Sequence, residues 1–221
     1  MPRIARAVAV GYPHHVVQTG NSKSQVFFDD RDKTAYLHLL RKYSEKWECP
    51  VLVYCLMSNH VHLLLKPLQE VSLSKTMQGI ALNYTQYFNK KYNKTGRLWE
   101  SRYYSSIVDK ENYLWTIARY IEQNPKRAEM VRMEENYPFS SARAHVTGMI
   151  DEVLGEEIFG EEGRREYVNF LHSPPNDEEI SRISNCTRAN LPFGNETFVK
   201  VIGQLLGLNL TRKPRGRPKK P

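Results

Sequence analysis

No glycine-rich nucleotide loop occurs anywhere in this chain of 221 residues, so a step driven by ATP or GTP is not expected. No uninterrupted apolar run is long enough to span a bilayer. The opening stretch, MPRIARAVAV, is too short and too broken by arginine for a secretion signal. Cysteine is scarce. Cys49, Cys55 and Cys186 are odd in number and lack metal-site spacing, which excludes a disulfide framework. Cys49 and Cys55 flank or occupy a run that reads as buried, where a thiol acts as a small hydrophobe. These absences point to a reducing, cytoplasmic setting with no membrane partner. There is no internal repeat.

Apolar residues make up 40% of the chain and aromatics 11%, enough for one good core plus an appendage. Lysine and arginine exceed aspartate and glutamate by 32 to 24, a net charge of +8 that favours a polyanionic partner. The charge is segregated. Residues 211–221 hold six cations and no acid, whereas residues 151–166 hold seven acids and two arginines.

The pattern predicts a strand at residues 14–19, a helix from Asp29 or Asp30 to about Trp47, and a strand opening at Pro50 and running to Leu56. Ser58 and Asn59 form a turn into a third strand, residues 60–66, antiparallel to the second. Ser72 caps a long helix with Leu73, Met77, Ile80, Tyr84 and Phe88 on its buried stripe. A fourth strand is expected at residues 102–108, then a helix capped by Asp109 and ended at Asn124 by Pro125. The fold class is therefore α+β: a ferredoxin-like βαββαβ core, strands one and three central, with an extra helix on the sheet. Residues 1–150 read as the main domain and 151–210 as a mostly helical extension. In that extension a linker is expected at residues 170–177 and short helices at 178–184 and 195–208. The tail, residues 211–221, reads as disordered when free.

His60 and His62 stand out within an apolar run, residues 51–65. A strand repeats every two residues, so both imidazoles leave the same face. A shared divalent metal is the simplest partner for such a pair. One histidine in a hydrogen bond and the other half exposed is the blander alternative. Farther along, Tyr113, Tyr120 and Asn124 lie close to one line of the extra helix. A tyrosine and an amide four apart could share a polar site. They could equally be a half-buried aromatic and an ordinary helix terminus.

Taken together, these segments resemble the single-tyrosine transposases with a His-hydrophobic-His signature, in particular their branch associated with repetitive extragenic palindromes (REP). The resemblance is carried by residues 56–65 (LMSNHVHLLL), 96–105 (GRLWESRYYS), 118–128 (ARYIEQNPKRA) and 137–142 (YPFSSA). The opening GYPHHV, residues 11–16, with Gly20 and Asn21, resembles that family's opening strand and loop, and the basic tail, residues 211–221, resembles the basic tails of some relatives more weakly. The main resemblance spans roughly residues 1–150, as the catalytic domain. It implies Tyr120 as nucleophile, His60 and His62 as paired metal ligands, and Asn124 as the third ligand. It also implies cleavage of single-stranded DNA beside a hairpin, with a 5′-phosphotyrosine intermediate.

Physical chemistry is compatible with those roles. A phosphodiester repels nucleophiles, so attack needs charge neutralisation. Two imidazoles and an amide suit Mg²⁺ or Mn²⁺. Tyrosine has a reference pKa of about 10 and must be activated; no base is evident. Arg97, Trp99, Arg102, Tyr103 and Tyr104 form a cluster that could pair with phosphates and stack on unpaired bases, although Trp99 and one tyrosine could instead be core. Arg212, Lys213, Arg215, Arg217, Lys219 and Lys220 make the tail a candidate duplex-DNA contact. Its PRGRP run resembles a minor-groove hook, and a plain solubilising tail is the alternative. The expectation is a nucleoid-associated strand transferase, monomer or homodimer. A DNA-binding regulator with vestigial nicking and a water-using metal nuclease are the competing classes.

Overall fold

The computed structural model describes residues 7–210. Four antiparallel strands, β1 (His14–Thr19), β2 (Val51–Leu56), β3 (His60–Leu65) and β4 (Tyr104–Ile107), form a sheet in the order β2-β3-β1-β4. The expected α+β core is present, and the histidine strand is central. Helices α1 (Asp30–Lys46) and α2 (Ser72–Lys91) alternate with the strands in the βαββαβ order. Then follow α3 (Lys110–Glu122), α4 (Asn124–Arg127), α5 (Ala142–Thr147), α6 (Glu161–His172), α7 (Asp177–Ala189) and α8 (Glu196–Leu206).

Local chemistry explains the main boundaries. Asp29 caps α1 by accepting from Asp32 N–H at 3.0 Å, while the Asp32 carboxylate accepts from the Asp29 N–H at 3.3 Å. The buried Asp32 also takes the Lys91 ammonium at 2.7 Å and the Tyr92 hydroxyl at 2.7 Å, which ties α1 to α2. The strand register sorts side chains between faces. Val17 pairs with His62, Thr19 with His60, His15 with Leu64, and Tyr104 with Val17, so these residues share one face. Val16, Val61, Leu63 and Leu65 alternate to the other face, which α1 and α2 cover with Tyr36, Leu40, Ile80 and Tyr84. Phe27, Tyr36, Tyr84 and Trp99 pack ring against ring there.

Both outer strands are closed by later segments, which removes unpaired edges. The residue 139–141 segment pairs with β2: Leu56 N–H donates to Phe139 at 3.0 Å and Ser141 N–H donates to Tyr54 at 3.1 Å. On β4, Phe193 N–H donates to Ile107 at 2.7 Å and Asp109 N–H donates to Phe193 at 2.9 Å.

Besides Ser72, which is the first residue of α2 and not its cap, its Oγ accepting from Gln69 N–H at 3.0 Å, four local expectations need correction. First, β4 begins at Tyr104, because Arg102 and Tyr103 lie before the ladder with β1. Second, Pro125 does not end helical structure. It falls in the first turn of α4, where a missing N–H costs nothing. Third, residues 161–172 form α6, so the linker expected at 170–177 shrinks to the few residues between α6 and α7. Fourth, α7 runs from Asp177 to Ala189, well past residue 184; Asn176 caps it by accepting from Glu178 and Glu179 N–H.

Candidate active site

On the face of the sheet opposite α1 and α2, a groove of about 530 Å³ opens. His15, Val17 and Thr19 from β1 and His60 and His62 from β3 line its floor. Tyr120 on α3 and Asn124 on α4 form one wall; Ser184, Thr187 and Arg188 on α7 form the other. Lys23, Asn59, Glu100 and Tyr104 complete the lining. The structure therefore brings Tyr120, His60, His62 and Asn124 together. The His60 and His62 rings are 4.9 Å apart between centroids, and His62 and Tyr120 are 5.6 Å apart, edge to face. Tyr113 packs on Phe193 at 5.1 Å and does not line the groove.

Hydrogen bonds fix what each group presents. Asn59 Nδ2 donates to the Lys23 carbonyl at 3.0 Å, which turns its Oδ1 toward His60 Nδ1 at 2.7 Å. An amide oxygen only accepts, so His60 carries its proton on Nδ1 and Nε2 is a bare lone pair. Pro125 has no N–H for the Ile121 carbonyl, and the Asn124 side-chain amide reaches back to it at 3.1 Å and to the Tyr120 carbonyl at 2.9 Å. Asn124 Oδ1 is left without a hydrogen bond among the described residues. Two imidazole nitrogens and one amide oxygen form a neutral donor set that could hold a divalent ion with positions open for phosphate and water.

Burial keeps the imidazoles uncharged. It lowers His60 to about 4 and His15 to about 3. His62 falls well below the usual histidine value through burial, reinforced by His60, His15 and Arg127. Burial raises Tyr120 above the ordinary phenol value, against the pull of Arg127 and Arg188. The Arg127 guanidinium sits 4.8 Å from the Tyr120 ring centre and donates to the Tyr120 carbonyl at 3.0 Å. The Tyr120 hydroxyl makes no hydrogen bond among the described residues, and Glu100 is the carboxylate among the groove-lining residues.

The helix carrying Tyr120 is clamped from behind. The buried Glu122 carboxylate accepts from Ser141 Oγ at 2.6 Å and Tyr167 Oη at 2.7 Å, and pairs with His145 Nδ1 at 2.6 Å. Arg119 donates to Glu179 at 2.6 Å and Gln123 to the Leu171 carbonyl at 2.6 Å. Residues flanking the tyrosine thus bind α5, α6 and α7.

The aromatic and basic cluster expected beside the site is divided. Tyr104 is half-buried at the groove. Arg97 and Arg102 are exposed, with the Arg97 guanidinium on the Glu100 carbonyl. Trp99 is 7% exposed within the aromatic core, and Tyr103 is equally buried. The six tail cations, Arg212, Lys213, Arg215, Arg217, Lys219 and Lys220, lie outside the described residues. Sequence reasoning missed Asn59, Arg127 and Arg188, and above all His15 and Thr187. Only His15 had a readable signal, as a strand position in phase with Val17 and Thr19. A separate group, Glu134, Glu135 and His172, has ligand atoms within 4.8 Å of one another. Lys126 stands 3.0 Å from Glu134 and already supplies the positive charge there.

The sequence matches a family model described as IS200-like transposases over residues 9–124. No curated protein sequence matches the chain. Among solved structures, the fold is similar to a REP-associated tyrosine transposase bound to a REP hairpin. The TM-score is 0.53 and the identity 16%, over 74% of this chain and 96% of that one. A provisionally named transposase from Deinococcus radiodurans R1 has a TM-score of 0.39 at 15% identity, over 58% of this chain and 92% of that one.

Proposed function

From the premise that the chain belongs to the IS200-like transposase family, matched over residues 9–124, we propose that the groove cuts single-stranded DNA beside a hairpin through a covalent bond to Tyr120. Family membership makes the protein an enzyme of DNA transposition, with DNA as its partner. The observation that carries the finer reading is the gathering of the Tyr120 phenol, the His60 and His62 imidazoles and the Asn124 amide oxygen along one groove, with the phenol hydroxyl and the amide oxygen free of hydrogen bonds among the described residues and His60 Nε2 bare. The solved relative bound to a REP hairpin supports a folded DNA ligand.

A divalent ion on His60, His62 and Asn124, Mg²⁺ or Mn²⁺, would neutralise charge on the non-bridging phosphate oxygens, and Mn²⁺ is the better match to imidazole. The chain's own residues do the rest. Tyr120 Oη attacks phosphorus and its proton passes to solvent. The new oxygen–phosphorus bond forms as the bond to the 3′-oxygen breaks, and that oxygen leaves as a hydroxyl after taking a proton from water. Arg127 and Arg188 stabilise the phenolate as it develops, in place of a carboxylate base. The 5′-phosphotyrosine is close in energy to the bond it replaces, so another 3′-hydroxyl can reverse the step without ATP.

In this reading residues 1–150 form the catalytic domain and 151–210 an accessory region. Tyr104 stacks on an unpaired base, Arg97 and Arg102 meet phosphates, and Trp99 and Tyr103 support them from the core. Tail residues 211–221 add affinity for duplex or hairpin DNA. Deleting them should flatten the salt dependence of binding, by up to about 0.9 log unit per lost phosphate contact for each tenfold change in salt, and should spare cleavage at saturating DNA. A truncated protein with an unchanged salt slope would remove the tail from the DNA interface.

The decisive experiment incubates the full chain and Tyr120→Phe with single-stranded DNA flanking a hairpin and resolves the products on a denaturing gel. Wild type should yield a protein–DNA adduct. Tyr120→Phe should bind the same DNA and yield none. An adduct retained by Tyr120→Phe would transfer the nucleophile to another residue. Cleavage without any adduct in wild type would mark a water-using nuclease.

A further inference from the structure

The match to the transposase family ends at residue 124, yet a side chain far beyond it closes a hydrogen-bond chain that ends at His62. Thr187 on α7 is buried, and its Oγ1 lies 3.0 Å from the Ile183 carbonyl one turn back and 2.9 Å from His15 Nδ1. A carbonyl oxygen only accepts, so the hydroxyl proton goes to Ile183; the opposite assignment would press two acceptors together. Oγ1 therefore accepts from His15 Nδ1–H. A neutral imidazole has one N–H, which leaves His15 Nε2 as an acceptor. That nitrogen lies 3.1 Å from His62 Nδ1, so His62 is the donor. The near-parallel ring planes, 7° apart, suit an in-plane N–H···N bond. With its only proton on Nδ1, His62 keeps a lone pair on Nε2.

We propose that Thr187 and His15 are positioning residues that set the tautomer of His62, so that α7 completes the ion site without touching the ion. The inference rests on the reading of His60, His62 and Asn124 as that site. The two histidines reach the same state by different routes. Asn59, the adjacent residue, sets His60. His62 depends on a residue 172 positions from His15. Without the Thr187 acceptor, His15 can move its proton to Nε2. His62 must then accept on Nδ1, and its own proton moves to the nitrogen that should bind the ion.

The test uses full-length protein without DNA. Mn²⁺ is titrated into wild type, Thr187→Val and Thr187→Ser, and free Mn²⁺ is read by electron paramagnetic resonance. In parallel, the metal-free proteins labelled with ¹⁵N-histidine are examined by NMR, which separates the two tautomers by their nitrogen shifts. Thr187→Val should weaken Mn²⁺ binding by about 10–100-fold, the usual cost of removing an outer hydrogen bond from a ligand. Thr187→Ser, which keeps the acceptor, should bind like wild type. Wild-type His15 and His62 should both be Nδ1–H tautomers, a measurement that needs no variant to fold. Wild-type affinity in Thr187→Val, or an Nε2–H tautomer at His62 in wild type, overturns the relay. If wild type binds no Mn²⁺ that His60→Ala removes, the ion site itself fails. The spectrum still decides the relay: Nδ1–H at both rings upholds it and Nε2–H at His62 overturns it.

Discussion

Along β3, alternate residues serve two different environments. Val61, Leu63 and Leu65 enter the aromatic and aliphatic core beneath α1 and α2, fully buried. His60 and His62, on the other face, meet Asn59, His15 and the groove. The core side is held by apolar area removed from water, which has no direction and tolerates repacking at similar volume. On the groove side His60 and His62 each have one hydrogen-bond partner at a set distance, Asn59 and His15, and the position of a single proton decides what each imidazole can do. One strand can hold both because the core face fixes the register: a slip by one residue would drive the histidines into the apolar core and turn Val61, Leu63 and Leu65 toward the groove. The apolar face therefore supplies the rigidity that the polar face uses.

The sharpest way to break that contrast is to remove a groove-face histidine. His60→Ala or His62→Ala should leave the core intact and the melting temperature close to wild type. It should cut Mn²⁺- or Mg²⁺-dependent adduct formation by about a hundredfold or more, since a bound ion supplies several kcal/mol of charge stabilisation at phosphate. Hairpin binding, measured by gel shift, should survive. Undiminished cleavage by either variant, or full activity in excess chelator, would refute the ion site.

Moving one residue along the strand should give the opposite outcome. Leu63→Ala removes a fully buried side chain from the core face. It should cost about 2–5 kcal/mol of stability by denaturant titration. The fraction that remains folded should cut DNA at close to the wild-type rate, because Leu63 points away from the groove. A Leu63→Ala protein that is stable but inactive would show that the two faces are less separate than the register implies.

The same contrast explains what could be read from the sequence. Periodicity is a property of local runs, so β1 to β3, α1, α2 and the helix bearing Tyr120 were legible, as was the central place of β3. The His60–His62 pair was legible because a period of two puts both on one face. Helix α6 was not: it buries only Tyr167 and Leu171, one turn apart, beside acidic residues, and Pro174 and Pro175 drew attention to a linker instead. Pro125 was read as a stop although the chain resumes a helical turn around it. The Thr187–His15 contact had no sequence signal at all, since it joins α7 to β1 through the fold alone. Trp99 shows the reverse problem. A Trp among arginines and tyrosines reads equally well as a stacking platform, and only the packing against Tyr36 and Tyr84 assigns it to the core.

The smallest expected effect belongs to Asn124, and it tests whether the groove face is uniform. Its amide has two tasks: the NH₂ group donates to the Tyr120 and Ile121 carbonyls, and Oδ1 is left with lone pairs free to bind the ion. A neutral amide oxygen is the weakest of the three ligands and water can take its place, so Asn124→Ala should lower Mn²⁺ affinity by only about tenfold. The helix break costs little in addition, because the Arg127 guanidinium also reaches the Tyr120 carbonyl. Asn124→Asp separates the two tasks. It keeps an oxygen ligand and adds a charge that favours the ion, but its carboxylate would face two carbonyl oxygens where the NH₂ group now donates. If Asn124→Asp binds Mn²⁺ more tightly than Asn124→Ala while melting lower, the oxygen is a ligand and the NH₂ group a brace. If both variants bind Mn²⁺ like wild type, Asn124 serves only the turn at Pro125, and the ion rests on the two imidazoles alone.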